Sequence, residues 1–167
     1  MVAVSAGDQH SCALTTAGGV KCWGHNGLGE LGDGTTTNTS VPVGVVGLGS
    51  GAVTVSAGNY HSCALTTAGG VKCWGASTYG ALGDGITTTC SAVPVGVVGL
   101  SSGVVAVSAG TSHSCALTTA GGVKRWGTRV YGALGDGTTT NSSVLVDVFG
   151  LGSGRSRSPP AGITPAP

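Results

Sequence analysis

Small apolar side chains alternate with small polar ones along most of this chain. In Ala52-Val53-Thr54-Val55-Ser56-Ala57 the apolar residues Val53, Val55 and Ala57 fall on every second position and the run stops at Gly58. That is the period of a strand with two unlike faces. A second run covers residues 62–66, a turn follows at Ala68-Gly69-Gly70, and Val71-Lys72-Cys73-Trp74 leads to another glycine. Val93-Pro94-Val95 predicts a fourth short strand. Its proline cannot donate to a ladder, which places it on a sheet edge or at a strand start. No segment carries an apolar stripe of helical period over a useful length, so the pattern predicts an all-β chain.

The pattern is repeated. Residues 10–21, from His10-Ser11-Cys12 to Val20-Lys21, recur as 61–72 and 113–124, at offsets of 51 and 52. Trp23-Gly24, Leu31-Gly32-Asp33-Gly34 and Gly47-Leu48 return as Trp74-Gly75, Leu82-Gly83-Asp84-Gly85 and Gly99-Leu100. They return again as Trp126-Gly127, Leu134-Gly135-Asp136-Gly137 and Gly150-Leu151. The extra residue of the second unit falls in 86–92. Three units result, 1–51, 52–103 and 104–154, followed by a tail, 155–167, whose Ser-Pro-Pro and Thr-Pro-Ala-Pro composition predicts disorder. Four short antiparallel strands in about fifty residues is the arithmetic of a propeller blade.

The succession Gly-x-x-His-x-x-Ala-Leu-Thr, Gly-x-Val-x-x-Trp-Gly and Gly-x-Leu-Gly-Asp-Gly-Thr resembles the repeats of the regulator of chromosome condensation family, over roughly nine tenths of the chain. The resemblance implies blades of a propeller that closes with about seven, in a superfamily that includes a beta-lactamase-inhibitor protein. It also implies one of several roles: exchange factor for a small GTPase, accessory domain of a ubiquitin ligase, or bacterial surface or secreted module. Fold does not choose among them. Three blades are fewer than the family's ring, so the expectation is an open array that is part of a longer protein or that self-associates through its open blades.

Composition narrows the functions. The chain has 33 glycines in 167 residues, with charged residues at 8% and aromatic ones at 4%. Seven Lys and Arg stand against six Asp and Glu, but Arg155 and Arg157 lie in the tail, so residues 1–154 hold five basic and six acidic groups. That balance provides no basic face for nucleic acid. No apolar run reaches the roughly 20 residues of a membrane helix, so no membrane insertion is expected. Nor does the start show a basic segment followed by an apolar one, as a signal peptide would. A cytoplasmic chain, or part of a longer extracellular or cell-surface one, are the two readings.

Four of the six cysteines form two equivalent pairs, Cys12 with Cys22 and Cys63 with Cys73. Each pair is symmetric about the turn residue Ala17 or Ala68 and faces directly across a hairpin, where Cβ atoms lie about 4.5–5.5 Å apart. Disulfides and small buried thiols both fit that placement. Disulfides would imply an oxidising compartment. In the third unit Cys115 faces Arg125 instead, and Cys90 is unrepeated.

Little in the chain points to catalysis. Gly27-Leu28-Gly29-Glu30-Leu31-Gly32 spells a dinucleotide fingerprint, yet no helix is expected after it to receive a pyrophosphate, so no cofactor is assigned. His10, His61 and His113 recur once per blade, as expected of a structural imidazole donating to a strand carbonyl. Asp33, Asp84 and Asp136 sit between glycines, as expected of Asp bonding a turn backbone. Trp23, Trp74 and Trp126 are expected in the inter-blade core. No metal-ligand spacing occurs. The sequons Asn38-Thr39-Ser40 and Asn141-Ser142-Ser143 would matter only in a eukaryotic secreted chain.

The units differ beside residues that do not. Asp8-Gln9, Asn59-Tyr60 and Thr111-Ser112 precede the histidines, and His25-Asn26, Ala76-Ser77 and Thr128-Arg129 follow Trp-Gly. Varied loop tips on a rigid scaffold are how propellers bind partners. The expected function is therefore non-enzymatic binding of a protein partner. A regulatory exchange-factor or ligase-accessory propeller and a degenerate fragment without independent function are the alternatives.

Overall fold

A computed structural model of the chain describes residues 3–87, 90–128, 132 and 135–151. It contains twelve strands in three antiparallel four-stranded sheets. Blade 1 comprises β1 Ala3–Ala6, β2 His10–Leu14, β3 Val20–Gly24 and β4 Thr39–Gly44. Blade 2 comprises β5 Ala52–Ala57, β6 His61–Thr66, β7 Val71–Ala76 and β8 Cys90–Gly96. Blade 3 comprises β9 Val104–Ala109, β10 His113–Thr118, β11 Val123–Gly127 and β12 Ser142–Asp147. The strands run in chain order across each sheet, so every connection is a hairpin or a loop to the adjacent strand. Pro94 lies in β8, an edge strand, where its missing N–H breaks no ladder. Cys90 begins that strand.

The hairpin registers are the same in all three sheets. Cys12 stands opposite Cys22, Cys63 opposite Cys73 and Cys115 opposite Arg125. The first two pairs are disulfides, with Cα atoms 4.1 and 4.0 Å apart, and Cys90 and Cys115 are free thiols.

Each core lies between blades and not within one. Blade 1 supplies Leu14, Val20, Leu31, Val45, Leu48 and its disulfide to the first seam, and blade 2 supplies Ala52, Val55, Ala57, Ala64 and Trp74. The second seam is built in the same way, with Leu65, Val71, Leu82, Val97, Leu100 and the second disulfide facing Val104, Ala116 and Trp126, and Val107 and Ala109 partly buried against them. A blade is thus a two-faced sheet whose forward face enters one seam and whose backward face enters the previous one.

Trp23 departs from the expected inter-blade core. It occupies the backward face of blade 1, where no blade is packed, and is only half-buried, whereas Trp74 and Trp126 are fully enclosed. The tail at 155–167 lies outside the described residues.

Candidate functional site

The repeated His-Ser pair is a clasp across each seam. Neighbouring residues of a strand point to opposite faces, so His61 reaches forward into blade 3 while Ser62 reaches back into blade 1. His10 Nε2 lies 2.7 Å from Ser62 Oγ, and His61 Nε2 lies 2.8 Å from Ser114 Oγ. Ser62 Oγ donates to the Glu30 carbonyl at 3.2 Å and Ser114 Oγ to the Ala81 carbonyl at 3.1 Å. Each hydroxyl spends its proton on a carbonyl and so accepts from the imidazole Nε2–H. The same carbonyls accept from Trp74 Nε1 at 2.8 Å and Trp126 Nε1 at 2.9 Å. His10 and His61 therefore bind a serine of the next blade and not the strand carbonyl expected of them.

A histidine on a serine hydroxyl is also the geometry of an activated nucleophile. Here it acts as a fastener, because Ser62 and Ser114 are fully buried and no reactant reaches them. Burial, followed by repulsion from His10 and His113, pushes His61 down to about 4 from 6.5, so it is neutral near pH 7. His10 is lowered by burial despite the opposing pull of Glu30, and His113 by burial and then by Arg125.

Ser5 Oγ accepts from Ala57 N and Ser56 Oγ from Ala109 N, both at 3.0 Å, adding a second polar tie at each seam. Sequence reasoning passed over the serines of both ties. The signal was present, since Ser11, Ser62 and Ser114 each follow the repeated histidine and Ser5, Ser56 and Ser108 recur in the strand before it.

The variable positions form one rim. The residue after Trp-Gly bonds back to the residue before the histidine in every blade: His25 N to Gln9 O at 2.9 Å, Ala76 N to Tyr60 O at 2.8 Å and Thr128 N to Ser112 O at 2.9 Å. Loops of consecutive blades touch as well, through Asp8 N to Gly58 O and Asn59 N to Gly110 O, each 3.3 Å. Asp8, Gln9, Tyr60 and Thr111 are exposed along this rim, and Asn59 and Ser112 are half-buried. Between blades 2 and 3 the rim has a shallow notch bordered by Tyr60, Ala76, Thr78, Thr111 and Ser112. It encloses only about 10 Å³, far below the ~300 Å³ at which small-molecule pockets begin.

Four of the expected rim residues, Asn26, Ala76, Ser77 and Thr128, are buried and not available for contact. Asn26 is fully buried and holds its own loop together. Its Nδ2 donates to Asp33 Oδ1 and to the Thr35 and Thr37 carbonyls, and its Oδ1 accepts from Leu31 N. Thr128 is buried too, and its Oγ1 donates to Asn141 Oδ1 at 3.4 Å. A loop folded back on itself turns these side chains inward, which no local pattern announces. His25 is partly exposed and binds the buried Glu30 at 2.9 Å. Arg129 lies outside the described residues.

Asp33, Asp84 and Asp136 do bond their turns. Each accepts from the N–H two residues on, at Thr35, Ile86 and Thr138 respectively, at 2.9–3.1 Å. At Asp33 burial opposes ionisation, but the hydrogen bonds from Thr35 and Asn26 outweigh it and lower the carboxyl below its usual range. The fingerprint at 27–32 is a loop between β3 and β4 in which Gly29 and Gly32 have positive φ, and no helix follows it. Among the described residues no three His, Cys, Asp or Glu side chains group as metal ligands.

Two models of the Regulator of chromosome condensation (RCC1) repeat match the chain, one over residues 17–65 and 68–117 and the other over 1–30 and 52–81. This chain belongs to the RCC1 repeat family. Among its relatives, the probable E3 ubiquitin-protein ligase HERC4 of Homo sapiens is 38% identical over 154 residues, 90% of this chain. The E3 ubiquitin-protein ligase HERC2 of Homo sapiens is 34% identical over 86% of it. The chain spans only 14% and 3% of those two proteins. Human WBSCR16 superposes with a TM-score of 0.76 at 28% identity, and Prp20p of Saccharomyces cerevisiae with 0.77 at 20% identity. Each match covers 87% of this chain and 37% of the other.

The third RCC1 repeat departs from the other two in the clasp. Arg125 stands where Cys22 and Cys73 stand. Its Nε donates to Cys115 Sγ at 3.1 Å and its Nη2 to His113 Nε2 at 3.1 Å. His113 accepts at Nε2, whereas His61 donates there, so the two rings carry opposite tautomers.

Proposed function

We propose that this chain is a non-enzymatic, protein-binding part of an RCC1-type propeller and that its partner contacts the rim formed by the loops at 8–9, 59–60 and 111–112. The observation that carries the reading is the pairing of unlike side chains on an unvarying frame. Blade register repeats in all three units and the clasp at both seams, while Asp8-Gln9, Asn59-Tyr60 and Thr111-Ser112 differ and stand in one continuous line. Tyr60 brings aromatic area with a polar tip, the kind of side chain enriched where proteins bind one another. The two disulfides favour an oxidising setting, hence an extracellular or cell-surface location.

The test is affinity capture with immobilised chain beside a variant carrying Gln9→Ala, Tyr60→Ala and Thr111→Ala. Proteins held by the native rim should be lost by the variant, and equal retention by both would sink the rim as the contact.

A regulatory role inside a cell is the second reading, favoured by the identity to HERC4 and HERC2 and by the shared fold with Prp20p, a protein described with its binding to Gsp1p and histones. Alkylation of the chain in its natural host separates the two. Two reactive thiols fit the extracellular reading, and six fit the intracellular one. Faster nucleotide release from Gsp1p, used as the probe GTPase, would support the second.

A further inference from the structure

The two ends of the array are the two halves of one interface. Blade 1 turns outward the backward face that holds Val4, Ser11 and Trp23, the counterparts of Val55, Ser62 and Trp74. Blade 3 turns outward the forward face that holds His113, Cys115, Leu117 and Val123, the counterparts of His61, Cys63, Leu65 and Val71. Leu65 is 3% exposed in its seam and Leu117 is 39% exposed without one. The seams between blades 1 and 2 and between blades 2 and 3 show how such faces join, so the chain itself supplies the template for a contact between blade 3 of one copy and blade 1 of another.

Arg125 stands in the way. At both complete seams the serine hydroxyl of the following blade sits 2.7 or 2.8 Å from the histidine Nε2 and 3.7 Å from the first disulfide sulfur. In blade 3 the guanidinium fills that socket, 3.1 Å from both His113 Nε2 and Cys115 Sγ. It also takes the Nε2 lone pair, so His113 no longer presents the N–H that an incoming Ser11 would accept. Docking would further bury the arginine charge against Val4, Ser11 and Trp23, which hold no counter-charge, and an unpaired buried charge is costly.

We propose that Arg125 keeps copies of this chain apart by closing the outer face of blade 3 to blade 1 of a second copy. With the socket emptied, the two faces join head to tail as blades already join within the chain. Such a contact is heterologous and leaves one open face of each kind, so it propagates with concentration. Polar or charged outer faces on terminal units are what keeps repeat arrays from joining end to end.

The experiment is light scattering on a sizing column over a range of concentrations, with circular dichroism to confirm folding. The native chain is expected at its monomer mass of 15.9 kDa throughout. Arg125→Ala should rise to at least twice that mass as concentration increases. Adding Ser11→Lys, which places a charge on the receiving face of blade 1, should return it to the monomer. Should Arg125→Ala not fold, Arg125→Cys carries the same test, since it restores the residue of the other two blades. Its thiol and that of Cys115 then lose two hydrogens to dissolved oxygen as the bond forms. A folded variant that stays monomeric, an oligomer unaffected by Ser11→Lys, or self-association of the native chain to the same extent would each overturn the proposal.

Discussion

His61 of blade 2 and Ser114 of blade 3 are held 2.8 Å apart at the centre of a seam, and the residues next to them in their own strands, Ser62 and His113, face the opposite way. One dipeptide therefore fastens a blade to both of its neighbours. Removing the Ser114 hydroxyl leaves the His61 imidazole N–H without its partner and the Ala81 carbonyl with the Trp126 indole alone. Ser114→Ala should cost about 1–3 kcal/mol, read as a lower urea midpoint with an unchanged slope. Ser11→Ala, on the open face, should change the midpoint little. Equal losses at the two positions would show that the clasp contributes nothing of its own.

Acid should loosen the seams before it reaches the carboxylates. His61 is held at about 4 in the folded chain and returns to 6.5 on unfolding. Between those values the unfolded chain binds the proton first, so stability is whole above pH 6.5 and falls as pH drops toward 4. The loss is about 3 kcal/mol for this group. His10 and His113 are shifted the same way. Urea unfolding at pH 7 and pH 5 should show the native chain weakened at the lower pH and His61→Gln weakened less.

Thiol chemistry separates two kinds of cysteine. The oxidised chain should weigh four hydrogens less than the reduced chain before labelling and, unfolded and alkylated, should take label at Cys90 and Cys115 alone. Reduction should remove about 3 kcal/mol of stability for each closed loop. Six labelled thiols in air-oxidised material would contradict the pairing.

Gly58 passes so near blade 3 that a Cβ would collide with the Gly110 carbonyl oxygen. That contact is backbone against backbone and cannot be relieved by a rotamer. Gly58→Ala should destabilise by about 1–3 kcal/mol, whereas Gly96→Ala, with nothing within 4 Å, should not. Thermal unfolding of the two variants makes the comparison.

Much of the blade was legible because its causes are local. The alternation in 52–57, the Ala68-Gly69-Gly70 turn and the position of Pro94 give strands and hairpins that the sheets reproduce, and the symmetry of Cys63 and Cys73 about Ala68 gives their pairing. The rim was legible only in part. Differences between copies mark Tyr60 and Thr111 correctly as exposed, but the same rule marked Asn26, Ala76, Ser77 and Thr128, which the structure buries. Variation records that a position is not shared by the blades, and burial depends on how each loop folds back on itself.

The sequence by itself determined the all-β class, the three units and the cross-strand cysteine pairs, because a period of two and a glycine turn act within a few residues of themselves. Only the tertiary structure decided what the repeated side chains meet. His61 finds Ser114 across 53 positions, Trp74 finds the Glu30 carbonyl, and Trp23, identical in type, is left half-covered because no blade is packed against its face. A repeat specifies the same residue three times, and the presence of a neighbour decides whether that residue is core, fastener or surface.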